Sequence, residues 1–396
     1  MKIITQIARV LVGILFIISG VIKANDPYGF SYKLDEYFSV FGEHIWSGLA
    51  WFSNISLGLA IFIVSLEILL GLMLLSGSRV KANSWLLLLL IVFFTFLTFY
   101  SAYTGYIKEC GCFGDVIPLK AWGSFIKDLI LLVLIIIIMV GRKYIQPILK
   151  PKFDNLLIGL FVVISFALPL YTYAYLPIHM DWKSGEFAEG HNIVEQRKAY
   201  FDEQKKKMGE LKFVYKHKIT GQKVELTIEG LTEAGKKDTT FYANHDFVER
   251  IEPKVDSTET RLLPLSVGID FMDVDNNNRA DEILGNPNYQ FILVLTHLDK
   301  ASVSTMDEIN DLAQLAEKDS ITFIGLTNDD WKAIDIFRHE HQNAFDFYRC
   351  SDDTPLKGAV RSNPGLILMK GGVIIKKWSW RAIPSYNAVK EKYMSK

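Results

Sequence analysis

Cysteine is scarce in this sequence: three residues in 396, at positions 110, 112 and 350. A tetrahedral zinc site needs four ligands. The stretch "KECGCFGDVI" (108–117) supplies only two, so no metal centre is expected there. An excess of charge is missing as well. The formal net charge is −1, without the basic surplus of a nucleic-acid binder, so nucleic acid is not an expected partner. Charge is sparsest in the first 176 residues, which are mostly apolar; the remainder has the composition of an ordinary soluble protein. That step marks the main domain boundary, and the length allows two or three domains.

Five apolar runs are long enough to cross a bilayer, which takes about 20 residues. They are 3–22, 55–75, 85–103, 125–140 and 156–175. Lys23 follows the first run without a small-residue cleavage site, so that run reads as a span rather than a signal peptide. Lys2 and Arg9, Arg79 and Lys81, and Arg142, Lys143, Lys150 and Lys152 fall on one face of five alternating spans. The excess of Lys and Arg makes that face cytoplasmic. An inner (cytoplasmic) membrane protein with its C-terminal half outside the cytoplasm is expected.

The pair Cys110 and Cys112 then lies on the outer face, where thiols can oxidise and disulfides persist. A disulfide between i and i+2 closes a very small ring, and Gly111 relieves its backbone sterics. Strained disulfides are more easily reduced. Two readings stand: thiol–disulfide exchange at the membrane surface, or a bridge that pins the loop. Glu67 sits deep in the second run, in "VSLEILLG". An intramembrane carboxylate marks a functional site or an interhelical pair, and both remain open. Arg9 and Lys23 bracket the first span. Lys127 and Asp128, at the start of the fourth, read as interfacial snorkelling residues.

"RVLVGILFIISGVIKANDP" and "EILLGLMLLSG", with Glu67, resemble the DoxX family of small four-helix membrane proteins. "CGCFGD" followed by "FIKDLILL" resembles the related MauE branch. The resemblance covers about residues 1–145. It implies a four-helix bundle linked to membrane redox chemistry, with Cys110 and Cys112 as the redox pair. Residues 146–176 are a fifth span beyond that pattern.

The outer half divides again. Residues 177–260 read as a small α+β segment, with an exposed helix in "EQRKAYFDEQKKKMGELKF" and a hairpin about Thr220-Gly221. Residues 261–396 read as β–α–β–α–β–β–α, a mixed sheet covered by helices. "RSNPGLILMKGGVIIKKW" resembles the final hairpin of a thioredoxin-like domain, with Asn363-Pro364 at the position of its cis-proline. Where thioredoxins carry C-x-x-C after the first strand, this chain has "THLDKAS". The domain cannot exchange dithiols by itself. Cys350 reads as a buried core residue that could also serve a partner thiol. Asp273, Asp275 and Asn277 occupy calcium-loop positions, but Asn278 and Leu284 break that pattern, so a polar turn is expected. His339 and His341, two apart on a predicted helix, do not share a face.

The expected fold is an α-helical membrane bundle, four DoxX/MauE-like helices plus a fifth span, followed by an α/β thioredoxin-like domain. Two functions compete. One is a membrane redox protein exchanging electrons through Cys110/Cys112 with a thiol or a quinone, with no cofactor required. The other is a non-catalytic, membrane-anchored adaptor for an extracytoplasmic protein. The bilayer is a partner in both.

Overall fold

The computed structural model describes residues 1–107, 121–175, 186–209, 211–251 and 264–394. Five helices in the N-terminal part are long and apolar enough to cross a membrane. They are α1 (Lys2–Asn25), α3 (Ser56–Ser76), α4 (Val80–Thr104), α5 (Ala121–Gly141) and α6 (Pro151–Tyr175). Each is apolar over most of both faces, because one side packs inward and the other faces lipid, and the few charges on them are exceptions. Ala8, Val12, Phe16, Val64, Ile68, Leu87, Ile91, Ile135 and Ile138 fill the bundle interior. Gly77 ends α3 with φ +73, a conformation that glycine adopts without strain.

The region between the first two spans is helical, which the charge pattern alone does not suggest. It holds α2 (Pro27–His44) and a 3₁₀ segment, Ser47–Ile55. Pro27 opens α2 and the Asp26 side chain caps it, accepting from Gly29 N at 2.8 Å. Phe30, Leu34, Tyr37, Phe38 and Phe41 are buried at helical spacing, so α2 lies against the bundle by an aromatic face.

The rest is mixed α/β. Helix α7 (Ile193–Gly209) leads to strands β1 (Lys212–His217) and β2 (Lys223–Thr227). Helices α8 (Ile228–Lys237) and α9 (Phe241–Asn244) precede β3 (His245–Ile251), and the sheet order is β2-β1-β3, all antiparallel. The expected hairpin is β1–β2; β3 adds a third strand. The helix α7 is less exposed than its charge suggests, since Ile193 is fully buried against the next unit.

The larger unit starts with α10 (Leu265–Gly268) and α11 (Ala280–Leu284). Then come β4 (Tyr289–Leu295), α12 (Met306–Lys318), β5 (Thr322–Thr327), α13 (Trp331–His341), β6 (Asp346–Arg349) and α14 (Asp353–Ala359). The hairpin β7 (Gly365–Lys370) and β8 (Val373–Ser379) and the short helix α15 (Tyr386–Val389) close it. The order is β6-β5-β4-β7-β8; β4, β5 and β6 are parallel, β7 and β8 antiparallel. Phe291, Leu293 and Leu295 face one core and Ile292 and Val294 the other. Burial on both faces explains why β4 reads as an unbroken apolar run. Strand β6 and helix α14 were not anticipated; four residues are too few to show a period.

Candidate functional site

Arg9, Lys23 and Glu67 sit where α1 crosses α3. The Lys23 Nζ lies 2.6 Å from Glu67 Oε1, with both side chains almost wholly enclosed. Ser19 Oγ reaches Glu67 Oε2 at 3.5 Å. Lys23 also stands 4.4 Å from the Phe94 ring and 5.2 Å from Phe30, so aromatic faces supplement its one carboxylate. Arg9 meets the exposed C-terminal carbonyls of α3, donating to Leu74 O at 2.8 Å and to Leu75 O.

The interfacial reading fails for Asp128. Its side chain is 1% exposed, paired with Lys127 at 2.8 Å and accepting from Thr98 Oγ1 at 3.1 Å. Lys127 and Asp128 also lie within electrostatic reach of Glu67. Helices α1, α3, α4 and α5 thus share one cluster of two cations and two carboxylates. Beside it, Phe30, Tyr37, Phe94, Leu97 and Thr98 line a cavity of about 10 Å³, room for about one water.

The second cluster lies where the α/β unit meets the bundle. Arg361 Nε donates to Asp26 Oδ2 at 3.1 Å, and the two side chains are 9% and 17% exposed. Arg361 and Lys357 both stand over the Tyr32 ring, at 5.7 and 5.3 Å. Burial pushes the Tyr32 hydroxyl up to about 12 despite the neighbouring Arg361. Behind them, at the ends of the parallel strands, His297 lies between Asp329 (3.8 Å) and Asp353 (3.3 Å), and Lys357 reaches Asp353 at 2.7 Å. The carboxylates face opposite ring nitrogens, so the three groups do not converge on one ion.

The Asn363–Pro364 peptide is cis. Asn363 Nδ2 donates to His297 O at 2.7 Å, and Ser302 N donates to Asn363 O at 2.9 Å. The proline therefore sits beside the segment 297–302 that follows β4, and Arg361, three residues before it, is engaged with the bundle. Cys350 is fully buried, and burial pushes its thiol up to about 12. Cys110 and Cys112 lie outside the described residues.

Asp273 is satisfied by its own turn, accepting from Asp275 N at 3.0 Å, Asn277 N at 2.8 Å and Arg279 Nε at 3.0 Å. The Asn277 amide holds its carboxyl below the usual range. His339 pairs with Asp335 at 3.6 Å and His341 packs on Phe337, on separate parts of α13. Among the described residues no group of His, Cys, Asp and Glu has the makings of a metal site.

Reasoning from sequence singled out Glu67, Asn363, Pro364 and Cys350 but missed Asp26, Arg361 and His297. His297 stands inside "THLDKAS", just after the apolar strand β4. Residues 1–141 match the family described as Methylamine utilisation protein MauE. The match spans α1 to α5 and ends on the last residue of α5. No curated protein and no solved structure matches the chain. The match and the five apolar helices make this an integral membrane protein.

Proposed function

We propose that the chain is a membrane-bound thiol–disulfide exchange protein in which Cys110 and Cys112 do the chemistry. In this reading the α/β unit is thioredoxin-like in form and has no cysteine at its exchange position. One observation carries the proposal: the edge beside cis-Pro364 is held on the bundle by Arg361 and Asp26. A domain without its own exchange pair is seated on the domain that carries one. The four-helix likeness to DoxX proteins and the likeness to thioredoxins both rest on sequence motifs and support the same assignment.

The exchange balances within itself. One thiolate attacks a disulfide of an extracytoplasmic protein and forms a mixed disulfide. The second cysteine displaces the partner sulfur; the pair ends oxidised, and the partner ends as a dithiol with two electrons and two protons gained. A quinone is an electron acceptor and would couple only to the reverse exchange, in which a partner dithiol reduces the Cys110–Cys112 disulfide. The cavity lined by Phe30, Phe94 and Thr98 has room for about one water, too little for a quinone ring, and no step is routed through one. The cysteine loop and the α/β unit face the outside in this proposal, on the strength of the Lys and Arg asymmetry. A reporter fused after Lys396 should be active outside the cytoplasm; activity only inside would overturn that orientation.

Thiol trapping in cells tests the chemistry. The pair should appear in both oxidised and reduced forms, and either Cys→Ser change should abolish exchange while the protein still inserts. One of the two changes should accumulate a mixed disulfide. A pair that is always reduced and unreactive rejects the proposal. The adaptor reading keeps one observation in its favour, the absence of cysteine at "THLDKAS". It requires a pair that stays oxidised under every condition.

A further inference from the structure

The end of α6 meets the α/β unit through a second group of residues. Arg381, in the turn Trp380–Ala382 after β8, places its guanidinium 4.1 Å from the Trp380 ring and 5.4 Å from the Tyr173 ring. Tyr173 in turn stacks on Tyr28 of α2, with ring centres 5.8 Å apart and planes 23° apart. Arg381 is close enough to Tyr28 to act on it electrostatically. The side chain of Arg381 is exposed, and among the described residues no carboxylate pairs with it.

The location fixes what surrounds this cation. The apolar window of α6 is Phe153–Ala174, so Tyr173 lies in the last turn of a spanning helix. Leu170 and Tyr171 beside it are about half exposed, as lipid-facing residues are. Tyrosine and tryptophan gather at this depth, the level of the phospholipid headgroups. A guanidinium held by its faces against aromatic rings keeps its in-plane N–H donors free. Such donors form paired hydrogen bonds to phosphate oxygens. The neighbouring cations Lys357 and Arg361 are already matched to Asp353 and Asp26. Among the described residues, Arg381 is left as a cation without a carboxylate at the membrane surface.

The geometry points to a phospholipid headgroup site at Arg381, Trp380 and Tyr173, which takes the phosphate of an anionic glycerophospholipid. It lies in the leaflet on the side of the α/β unit and bonds that unit to the bilayer as well as to the bundle. The site is independent of the cysteine pair and stands or falls apart from thiol exchange.

Native mass spectrometry of the full-length protein released from nanodiscs tests it. Nanodiscs of phosphatidylglycerol and of phosphatidylcholine provide the comparison. The unaltered protein should retain phosphatidylglycerol in preference. Arg381→Gln should weaken that retention about fivefold or more. Arg381→Lys should fall between, since a lysine keeps the charge without the planar stack. Tyr173→Leu keeps the arginine and removes its ring, and it should also reduce retention; this arm remains informative if Arg381→Gln folds poorly. Equal retention by the unaltered protein, Arg381→Gln and Tyr173→Leu would overturn the site. Full displacement of the lipid by millimolar inorganic phosphate would overturn it in favour of a free-anion site. Asp181 follows α6 outside the described residues. A loss of retention in Asp181→Asn equal to that in Arg381→Gln would assign Arg381 to a protein carboxylate instead.

Discussion

Asp26 and Arg361 are 335 positions apart in the chain and 3.1 Å apart in space. The same carboxylate caps α2 through Gly29. One side chain therefore starts a helix of the membrane domain and holds the α/β unit against it.

These two duties can be separated. Asp26→Asn keeps a capping side chain and loses the charge, so α2 should persist while the contact with Arg361 weakens. Asp26→Ala loses both and should cost about 1 kcal/mol more. Hydrogen exchange over residues 353–364 reads the contact, and protection there should fall about tenfold in Asp26→Asn and in Arg361→Ala. Unchanged protection in both variants would show that the contact contributes nothing.

For the buried pair, the two single changes and the double change should behave differently. Glu67→Gln or Lys23→Met leaves one charge without its partner inside the bundle and should cost about 3–5 kcal/mol. Lys23→Met combined with Glu67→Leu should recover most of that, since apolar residues of similar size replace such pairs at little cost. Thermal unfolding in detergent measures this. If the stable double variant has lost thiol exchange, the pair serves the chemistry; if exchange survives, the pair is structural.

Cys350 should be inert. Its thiol is fully buried and pushed up to about 12, against an ordinary value of 9.0. Maleimide at pH 8 should leave it unmodified in the native protein and label it in denaturant. The folded state keeps a proton that the unfolded state releases, so this group's stabilising contribution is complete below pH 9. It then declines as pH rises toward 12. Rapid labelling of the native protein would contradict the burial.

Gly71 and Gly13 let α1 and α3 touch through their backbones. A methyl group at Gly71 would meet Gly13 O at 2.9 Å and an Ile17 side-chain carbon at 2.8 Å. Gly71→Ala should cost about 1–3 kcal/mol by forcing the helices apart. The same change at Gly58, where nothing lies within 4 Å, should be neutral or slightly stabilising, and a loss there comparable to Gly71→Ala would remove the packing explanation.

The spans were legible because a bilayer demands a long apolar run and little else does. Helix α2 was legible in principle from the helical spacing of Phe30, Leu34, Tyr37, Phe38 and Phe41, but it is too polar to register as a span and falls between two that do. Glu67 could be flagged by depth alone. Its partner could not be chosen, because Arg9, Lys23 and Lys127 all lie near spans that could pack beside it. Asp128 was misread since a Lys-Asp step at the start of a helix looks the same whether the acid faces water or Thr98. The α/β alternation followed from β4, β5 and their helices, whereas β6 was too short to register. Nothing in the sequence joins Asp26 to Arg361. That contact depends on how two separate folds meet, and neither end carries a local pattern.

The Lys23–Glu67 pair also constrains how the protein enters the bilayer. An unmatched charge near a helix centre, such as Glu67, is an expensive guest in hydrocarbon, at about 2.5–3.5 kcal/mol, whereas Lys23, in the last turn of α1, can snorkel to the headgroups. Helix α1 leaves the ribosome before α3, with α2 between them. Lys23 must therefore stay near headgroups or water until Glu67 arrives, and the glycine-lined seam brings the two helices together. Integration of α1 is completed by α3, so a chain halted before residue 67 should hold its first helix shallow or still associated with the insertion machinery.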